Sequence, residues 1–285
     1  MKRRFSNLVL IVILLMGVIL LLYPSISNYW NSFHATQAIV DYSKQAANLN
    51  DEKYDEMWQR AVAYNAGLQF RDNPYLLSEE QRAEYESILD ITGTGIMGYI
   101  EIESIEVALP IYHGTEESVL QVATGHLDWT SLPIGGEGTH CALSGHRGLP
   151  SAKLFTNLDK LVVGDTFVLR ILDEILTYEV DLISIVEPSD VKPLLVEEGK
   201  DLCTLVTCTP YGINTHRLLV RGHRIENEEA AKLVRVTADA VQIEPLLIAP
   251  IVALPVLLML LIWLFTMDSG KKGGKSHGKE VDLFR

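Results

Sequence analysis

The sequence predicts a mainly β protein whose strands form a barrel or a sandwich, preceded by helices and flanked by two hydrophobic segments. Three observations support this prediction. Between residues 93 and 226, short runs of alternating apolar residues are separated by glycine and proline turns, as in many-stranded folds. Residues 29–69 carry apolar side chains at helical spacing. Two long uncharged runs lie near the ends of the chain.

The first apolar run, residues 8–23, has 16 residues without a charge and follows the basic residues of segment 1–7. With the three preceding residues it reaches about 28 Å as a helix, close to the thickness of a bilayer's hydrocarbon core. A cleaved signal sequence is the alternative, because Ser25 and Ser27 are small residues of the kind found near cleavage sites. The lack of alanine and the length of the run favour an uncleaved membrane anchor.

The second apolar run, residues 246–267, has 22 uncharged residues, including Pro250 and Pro255. A membrane helix tolerates such kinks, whereas a soluble core helix of this length would carry a polar face. We therefore expect a transmembrane helix, followed by a basic tail at 268–285. Basic residues exceed acidic ones in this tail and in segment 1–7, so both termini are predicted to be cytoplasmic.

The formal net charge is −13, and the acidic excess lies between the two apolar runs. This charge argues against a nucleic-acid partner, since phosphate binding requires a basic face. The acidic middle part is the part that we expect on the extracytoplasmic side of the cell membrane.

The segment 24–92 is predicted to be helical and to connect the membrane to the main domain. Its pattern indicates two helices with a break near residues 48–53. A residue before proline is extended, so no helix should run through the turn-rich stretch 71–81. Glycines within 92–98 mark the start of the domain 93–226, and residues 227–245 are predicted to be a linker.

About eight strands are expected in this domain. A register shift at Ser104 divides the first apolar stretch into two strands. The predicted strands fall within residues 99–114 (two strands), 126–130, 139–146, 166–172, 176–187, 202–208 and 217–224.

Three cysteines are present, Cys141, Cys203 and Cys208, so an exported monomer keeps at least one free thiol. Their spacing matches no zinc motif, and the sequence gives no sign of a metal or organic cofactor. Cys208 ends a predicted strand next to a turn, and Cys203, five residues earlier, should face the other side of that strand. Cys208 is therefore a candidate nucleophile, with an inert buried thiol as the alternative.

A thiol nucleophile needs a base and a cation nearby. His146 also ends an apolar strand, and Arg217 begins the strand that follows Cys208. Other residues of the same types compete with them: His126, His140, His216, His223, Arg221 and Arg224.

Two segments closely resemble the sortases, a family of cysteine transpeptidases. Residues 204–224 (TLVTCTPYGINTHRLLVRGHR) resemble their catalytic signature, and residues 132–165 resemble their histidine segment. Residues 98–120 resemble the opening strands of the class C, pilus-polymerising branch, so that the likeness covers about residues 93–225. The resemblance implies an eight-stranded β-barrel with Cys208, His146 and Arg217 as its catalytic residues.

The resemblance also implies a two-step reaction without a cofactor. Cys208 would attack the Thr–Gly bond of an LPXTG-like sorting signal in a pilin and form a thioacyl enzyme. Arg217 would hold the substrate or the oxyanion, and His146 would protonate the leaving amine and help activate the incoming one. In class C enzymes that amine is a lysine of the next pilin. The alternatives are a peptidoglycan-precursor amine, a hydrolytic cysteine protease and an inactive pilin-binding scaffold.

Class C sortases often carry a lid with an Asp-Pro-aromatic motif over the cysteine. The nearest match, near residues 70–80, is formed by Asp72, Pro74 and Tyr75, with Asn73 intervening. The resemblance implies that Tyr75 caps the thiol and that Asp72 pairs with Arg217. A plain linker turn is the alternative.

Overall fold

The computed structural model describes residues 2–71, 73, 75–227 and 259. Apart from Asn227 and Met259, the predicted linker 227–245, hydrophobic segment 246–267 and tail 268–285 lie outside the described residues, as do Asp72 and Pro74. The described residues fall into two units: one contains the residues up to Ile26 together with Met259, and the other begins at Ser27.

Four α-helices lie in the described part of the chain: α1 (Lys2–Ala47), α2 (Asp51–Gly67), α3 (Glu79–Ser87) and α4 (Glu117–Leu120). The predicted break between two helices is present before α2, where the Asn50 side chain accepts a hydrogen bond from the Lys53 amide and caps the helix. Helix α3 was not predicted. Its start is set by a capping box between Ser78 and Gln81, a signal that lies within the turn-rich stretch.

Helix α1 contains the first apolar run and continues through Pro24. Its part from Val9 onwards is long and apolar enough to cross a membrane, with a mean hydropathy of 2.8 in the most apolar window. None of that window is buried. An apolar surface of this kind is stable only when lipid or another apolar partner covers it.

Eight strands form a closed barrel, which confirms the predicted strand number. They are β1 (Ile96–Ile102), β2 (Val107–His113), β3 (Thr124–His126), β4 (Thr139–Ser144), β5 (Thr166–Ile171), β6 (Glu174–Val186), β7 (Asp201–Thr209) and β8 (His216–Ile225). Their order around the barrel is β1-β2-β3-β4-β7-β8-β6-β5. The β2–β3 and β4–β7 pairs are parallel, and the other pairs are antiparallel.

The strand predicted at residues 126–130 is wrong in its bounds, since β3 ends at His126. The Thr130 amide and hydroxyl both donate to the Leu127 carbonyl, at 2.9 and 2.8 Å, and close a turn there. Such local bonds from threonine compete with strand pairing, which the apolar pattern alone does not reveal.

Strand β7 separates two apolar clusters. Cys203 and Leu205 lie fully buried in the barrel core. Val206 points to the outer face, where it packs with Leu194 and Leu219. Because side chains alternate along a strand, Cys208 shares the outer face with Val206.

The second half of α1 is attached to the barrel by polar contacts. The buried Tyr42 hydroxyl donates to the Met97 carbonyl at 2.9 Å and accepts from the Leu172 amide at 2.8 Å. Asn28 and Asn31 bond to the backbone of loop 151–153, which follows the His146 segment. These contacts fix the loop that leads away from the outer face of β4.

Candidate active site

Cys208 and Arg217 lie directly opposite each other on the antiparallel strands β7 and β8. Opposite residues in such a pair have Cβ atoms about 5 Å apart and side chains on the same face. Cys208 is partly exposed, as expected for a residue at the end of its strand. The predicted return of the arginine beside the thiol therefore agrees with the register.

His146, in the segment that follows β4, lies at the same height along the barrel as Cys208, on the side of β7 away from β8. Parallel pairing of β4 with β7 matches Ser144 with Val206, and the Gly145 amide continues it with a 3.1 Å bond to the Val206 carbonyl. Two residues further along both chains, His146 is level with Cys208. Sulfur, imidazole and guanidinium thus belong to three adjacent segments at one end of the barrel.

The glycine before His146 is required by close packing. A Cβ atom on Gly145 would lie 2.7 Å from the ring of the buried Phe155. The Phe155 amide also donates to the His146 carbonyl at 3.1 Å. The core of the barrel therefore holds the backbone of His146 directly.

Two arginines on the outer face of β8 have different surroundings. Arg221 forms a double hydrogen bond with Asp181, both distances being 2.9 Å, and a 2.7 Å bond with Glu197. Among the described residues, Arg217 has no carboxylate partner, and its guanidinium bonds only to the backbone carbonyls of Asn214 and His216. The positive charge of Arg217 is available to an anionic or polar ligand.

A groove of about 250 Å³, which we call the outer groove, runs beside these residues on the outer face of the barrel. Arg217 is part of its lining and Trp129 forms one wall. Its remaining lining residues are Thr115, Leu127, Ser144, Val186, Glu187, Pro188, Asp190, Val191, Leu194, Val206 and Leu219. A groove that combines apolar side chains with polar and charged groups suits an extended peptide.

The other two cysteines are enclosed in the barrel. Cys141 and Cys203 are register partners on β4 and β7, and both are buried. Burial raises the pKa of the Cys203 thiol well above its usual range, so this thiol stays protonated and unreactive. The predicted division between a buried Cys203 and an open Cys208 agrees with this geometry.

Two of the competing histidines are structural. His126 donates from Nε2 to the Ser131 carbonyl at 2.8 Å and lies 2.9 Å from the Tyr85 hydroxyl. His140 bonds to the Leu195 carbonyl at 2.9 Å and to the Thr204 hydroxyl at 2.7 Å. Burial lowers the pKa of His140, which favours its neutral form. Both rings are buried and both of their nitrogens are bonded.

The remaining competitors lie on another face or at another end of the strands. His216 pairs with Thr209 at the same end as Cys208, but side chains alternate along β8, so it faces away from Arg217; it is exposed and contacts the Thr215 hydroxyl at 2.9 Å. His223 and Arg224 lie at the opposite end of β8, where His223 is level with Leu202 at the start of β7. Of the candidates for base and cation, His146 and Arg217 are the ones beside Cys208.

Arg147 connects the two segments that carry the imidazole and the thiol. Its guanidinium pairs with Asp159 and donates to the Thr209 hydroxyl at 3.4 Å. It also lies 5.8 Å from the centre of the Tyr211 ring, in the loop after β7. The local sequence pattern gives no signal for this role of Arg147.

In the predicted lid stretch, the side chain of Tyr75 packs edge-on against Trp129, with ring centres 5.2 Å apart. Trp129 lines the outer groove. This contact joins the stretch near residues 70–80 to the groove wall, whereas Asp72 and Pro74 lie outside the described residues.

Glu117 is a further residue that sequence reasoning missed. Its Oε2 lies 3.4 Å from Nε2 of His146, and its Oε1 accepts from the Gln121 side chain at 3.1 Å. The bonds with Gln121 and His146 lower the pKa of Glu117. An acidic residue at the start of a short helix carries no signal of such a contact, because the contact depends on how β2, β3 and β4 meet.

The comparisons with known proteins all identify the same family. The pattern of the sortase domain matches residues 100–225. Sortase A of Bacillus anthracis is 24% identical over 226 residues, covering 78% of this chain and 95% of that protein.

Solved sortase C structures have a higher sequence identity to this chain. The structure of sortase C1 from Streptococcus agalactiae is 51% identical, covers 67% of this chain and 99% of its own, and has a TM-score of 0.65. A Streptococcus pneumoniae sortase C structure, described in terms of catalysis and pilin substrate specificity, is 43% identical with a TM-score of 0.61, covering 67% of this chain and 97% of its own. A barrel of eight strands, a cysteine signature and these likenesses agree: the chain belongs to the sortase family of cysteine transpeptidases, within its class C group.

Proposed function

We propose that this protein cleaves an LPXTG-like sorting signal of a pilin between threonine and glycine and joins the threonine to a lysine amine of another pilin. The proposal rests above all on one observation: Cys208, His146 and Arg217 are level with each other on adjacent segments, and Arg217 lines the outer groove. The likeness to class C structures supports a pilin as the substrate.

In the first step, the Cys208 sulfur attacks the threonine carbonyl. Arg217, which lacks a carboxylate partner among the described residues, donates to the substrate or to the oxyanion that develops on this carbonyl. His146 gives a proton to the leaving glycine amine. The product of this step is a thioester between threonine and Cys208.

In the second step, a lysine amine attacks the thioester and Cys208 leaves. His146, neutral after the first step, accepts a proton from the incoming group. The outer groove holds the sorting signal during both steps, with its apolar wall against the leucine and proline side chains. No metal or organic cofactor takes part in this scheme.

The apolar part of α1 supports attachment of the enzyme to the cell membrane. We propose that the segment 8–23 is the anchor, that 93–226 is the catalytic domain on the extracytoplasmic face, and that a lid near 70–80 precedes it. With the C-terminal segment 246–267 as a second span, both termini are cytoplasmic.

The test is to incubate the full-length protein with a purified pilin that carries an LPXTG-like signal. Covalent pilin ladders that survive denaturing electrophoresis and are missing with Cys208→Ala are the expected result. Transfer to a peptidoglycan-like amine without ladders would instead favour cell-wall anchoring. Hydrolysis alone, in the presence of either amine, would indicate a protease and overturn the proposal.

A further inference from the structure

Glu117 has a position that neither the cysteine signature nor the histidine segment explains. Its carboxylate lies 3.4 Å from Nε2 of His146, and its side chain is 68% exposed. A carboxylate only accepts hydrogen bonds, so the neutral imidazole carries its proton on Nε2 and keeps a lone pair on Nδ1. Glu117 thus selects the tautomer in which Nδ1 can accept a proton.

The segment that carries Glu117 is held firmly against the barrel. The Gly114 amide donates to the buried Tyr85 hydroxyl at 2.9 Å. A Cβ atom on Gly125 in β3 would lie 2.3 Å from the Gly114 carbonyl, so only glycine allows this approach of the two backbones. The backbone near Glu117 is therefore held in place against the barrel.

The ionic partners of Glu117 differ from those of its acidic neighbours. Arg82 lies 3.7 Å from Glu116 and 3.3 Å from Asp128, so both carboxylates have a cationic partner. Among the described residues, Glu117 has no cationic partner other than the ring of His146, when that ring is protonated. An exposed, unbalanced carboxylate beside a proton acceptor is suited to receive a cation from solution.

From this geometry we infer that Glu117 binds the ammonium group of the acceptor lysine and delivers it to His146 for deprotonation. The inference rests on the proposed function, in which the acceptor is a lysine side chain. An acceptor lysine arrives as an ammonium ion, whereas only the neutral amine attacks a thioester. The lysine must therefore be bound first and deprotonated next: Glu117, at Nε2, attracts it to the imidazole, and Nδ1, on the other side of the ring, takes its proton.

Atoms and charge are conserved in this transfer. The bound ammonium loses one proton to Nδ1 of His146, which becomes an imidazolium. The resulting amine forms the C–N bond to the threonine carbonyl, the C–S bond to Cys208 breaks, and the second amine proton leaves with the sulfur as a thiol. The amide nitrogen keeps the third hydrogen, and the total charge stays at one positive.

The experiment isolates the second step. The full-length protein in detergent micelles is first acylated with a sorting-signal peptide. The thioester is then reacted with either a peptide whose lysine side chain is the free amine, or hydroxylamine, which is uncharged at neutral pH. Single-turnover rates by mass spectrometry are compared for wild type, Glu117→Gln and the matched control Glu116→Gln.

We expect Glu117→Gln to slow transfer to the lysine peptide by about three- to tenfold, the range for loss of a mostly exposed ion pair with an ionised hydrogen bond. The reaction with hydroxylamine should stay within about twofold, and Glu116→Gln should change neither. Glu117→Asp should recover part of the lysine rate. Equal slowing with both nucleophiles, or slowing with neither, would overturn the inference. If wild type forms the thioester but never uses the lysine peptide, the proposed function fails instead.

Discussion

Removal of Arg217 provides the sharpest test of the charge arrangement, because Arg221, four residues away on the same face of β8, is a matched control. Arg217 bonds only to two backbone carbonyls among the described residues, whereas Arg221 is paired with both Asp181 and Glu197. Alanine at the first position should therefore cost activity, and alanine at the second should cost stability.

The magnitudes follow from these contacts. Loss of one donor to a developing oxyanion lowers the rate by about 100- to 1000-fold, or about 2.7–4 kcal/mol in the barrier. Arg221→Ala removes the double hydrogen bond to the partly exposed Asp181, while Glu197 keeps its contact with Lys200. We expect this loss to destabilise the fold by about 1–2 kcal/mol after allowance for solvent screening. For a domain of this size, that lowers Tm by about 3–6 °C.

The assay is the rate at which Cys208 is acylated by a sorting-signal peptide, measured together with thermal unfolding. The Arg217→Ala variant should be acylated slowly and should have a nearly unchanged Tm. The acylation rate of Arg217→Lys should lie between those of wild type and Arg217→Ala, because lysine keeps the charge but lacks the planar guanidinium. Arg221→Ala should melt earlier and acylate at nearly the wild-type rate below its Tm. If Arg217→Ala melts as early as Arg221→Ala, or acylates as fast as wild type, the reasoning is refuted.

Three further predictions concern other parts of the structure. Cys208→Ala should abolish thioester formation, whereas Cys203→Ala should keep it and lower the free energy of unfolding by about 1–2 kcal/mol through a small core cavity. Tyr75→Ala removes an aromatic pair with Trp129 worth about 0.5–1.5 kcal/mol, so labelling of Cys208 by a bulky thiol reagent should become about 2- to 10-fold faster. Tyr42→Phe removes two buried hydrogen bonds to the barrel backbone and should lower stability in urea by about 1–3 kcal/mol.

A specific result would contradict each of these three predictions. Thioester formation on Cys208→Ala would move the nucleophile elsewhere. Unchanged labelling of Tyr75→Ala would mean that the stretch near residues 70–80 does not restrict access to the thiol. Wild-type stability of Tyr42→Phe would show that the two hydrogen bonds of the Tyr42 hydroxyl are not needed to hold α1 to the barrel.

The eight strands could be predicted because each one is a local pattern of alternating side chains bounded by turn residues. The prediction was wrong where a local hydrogen bond overrode the pattern, as at Thr130, and incomplete where a capping box began a helix, as at Ser78. The order of the strands around the barrel, with its parallel β4–β7 pair, could not be predicted from such local patterns.

The sequence by itself determined the number of strands, the long apolar run in α1 and the segments with a sortase signature, since these depend on neighbouring residues along the chain. Only the tertiary structure decided that His146 is level with Cys208, that Arg221 is neutralised while Arg217 is not, and that Glu117 touches the imidazole. The physical reason is that each of these facts depends on the pairing register of segments 29 to 62 residues apart, or on the charges that face them, and no local pattern specifies either.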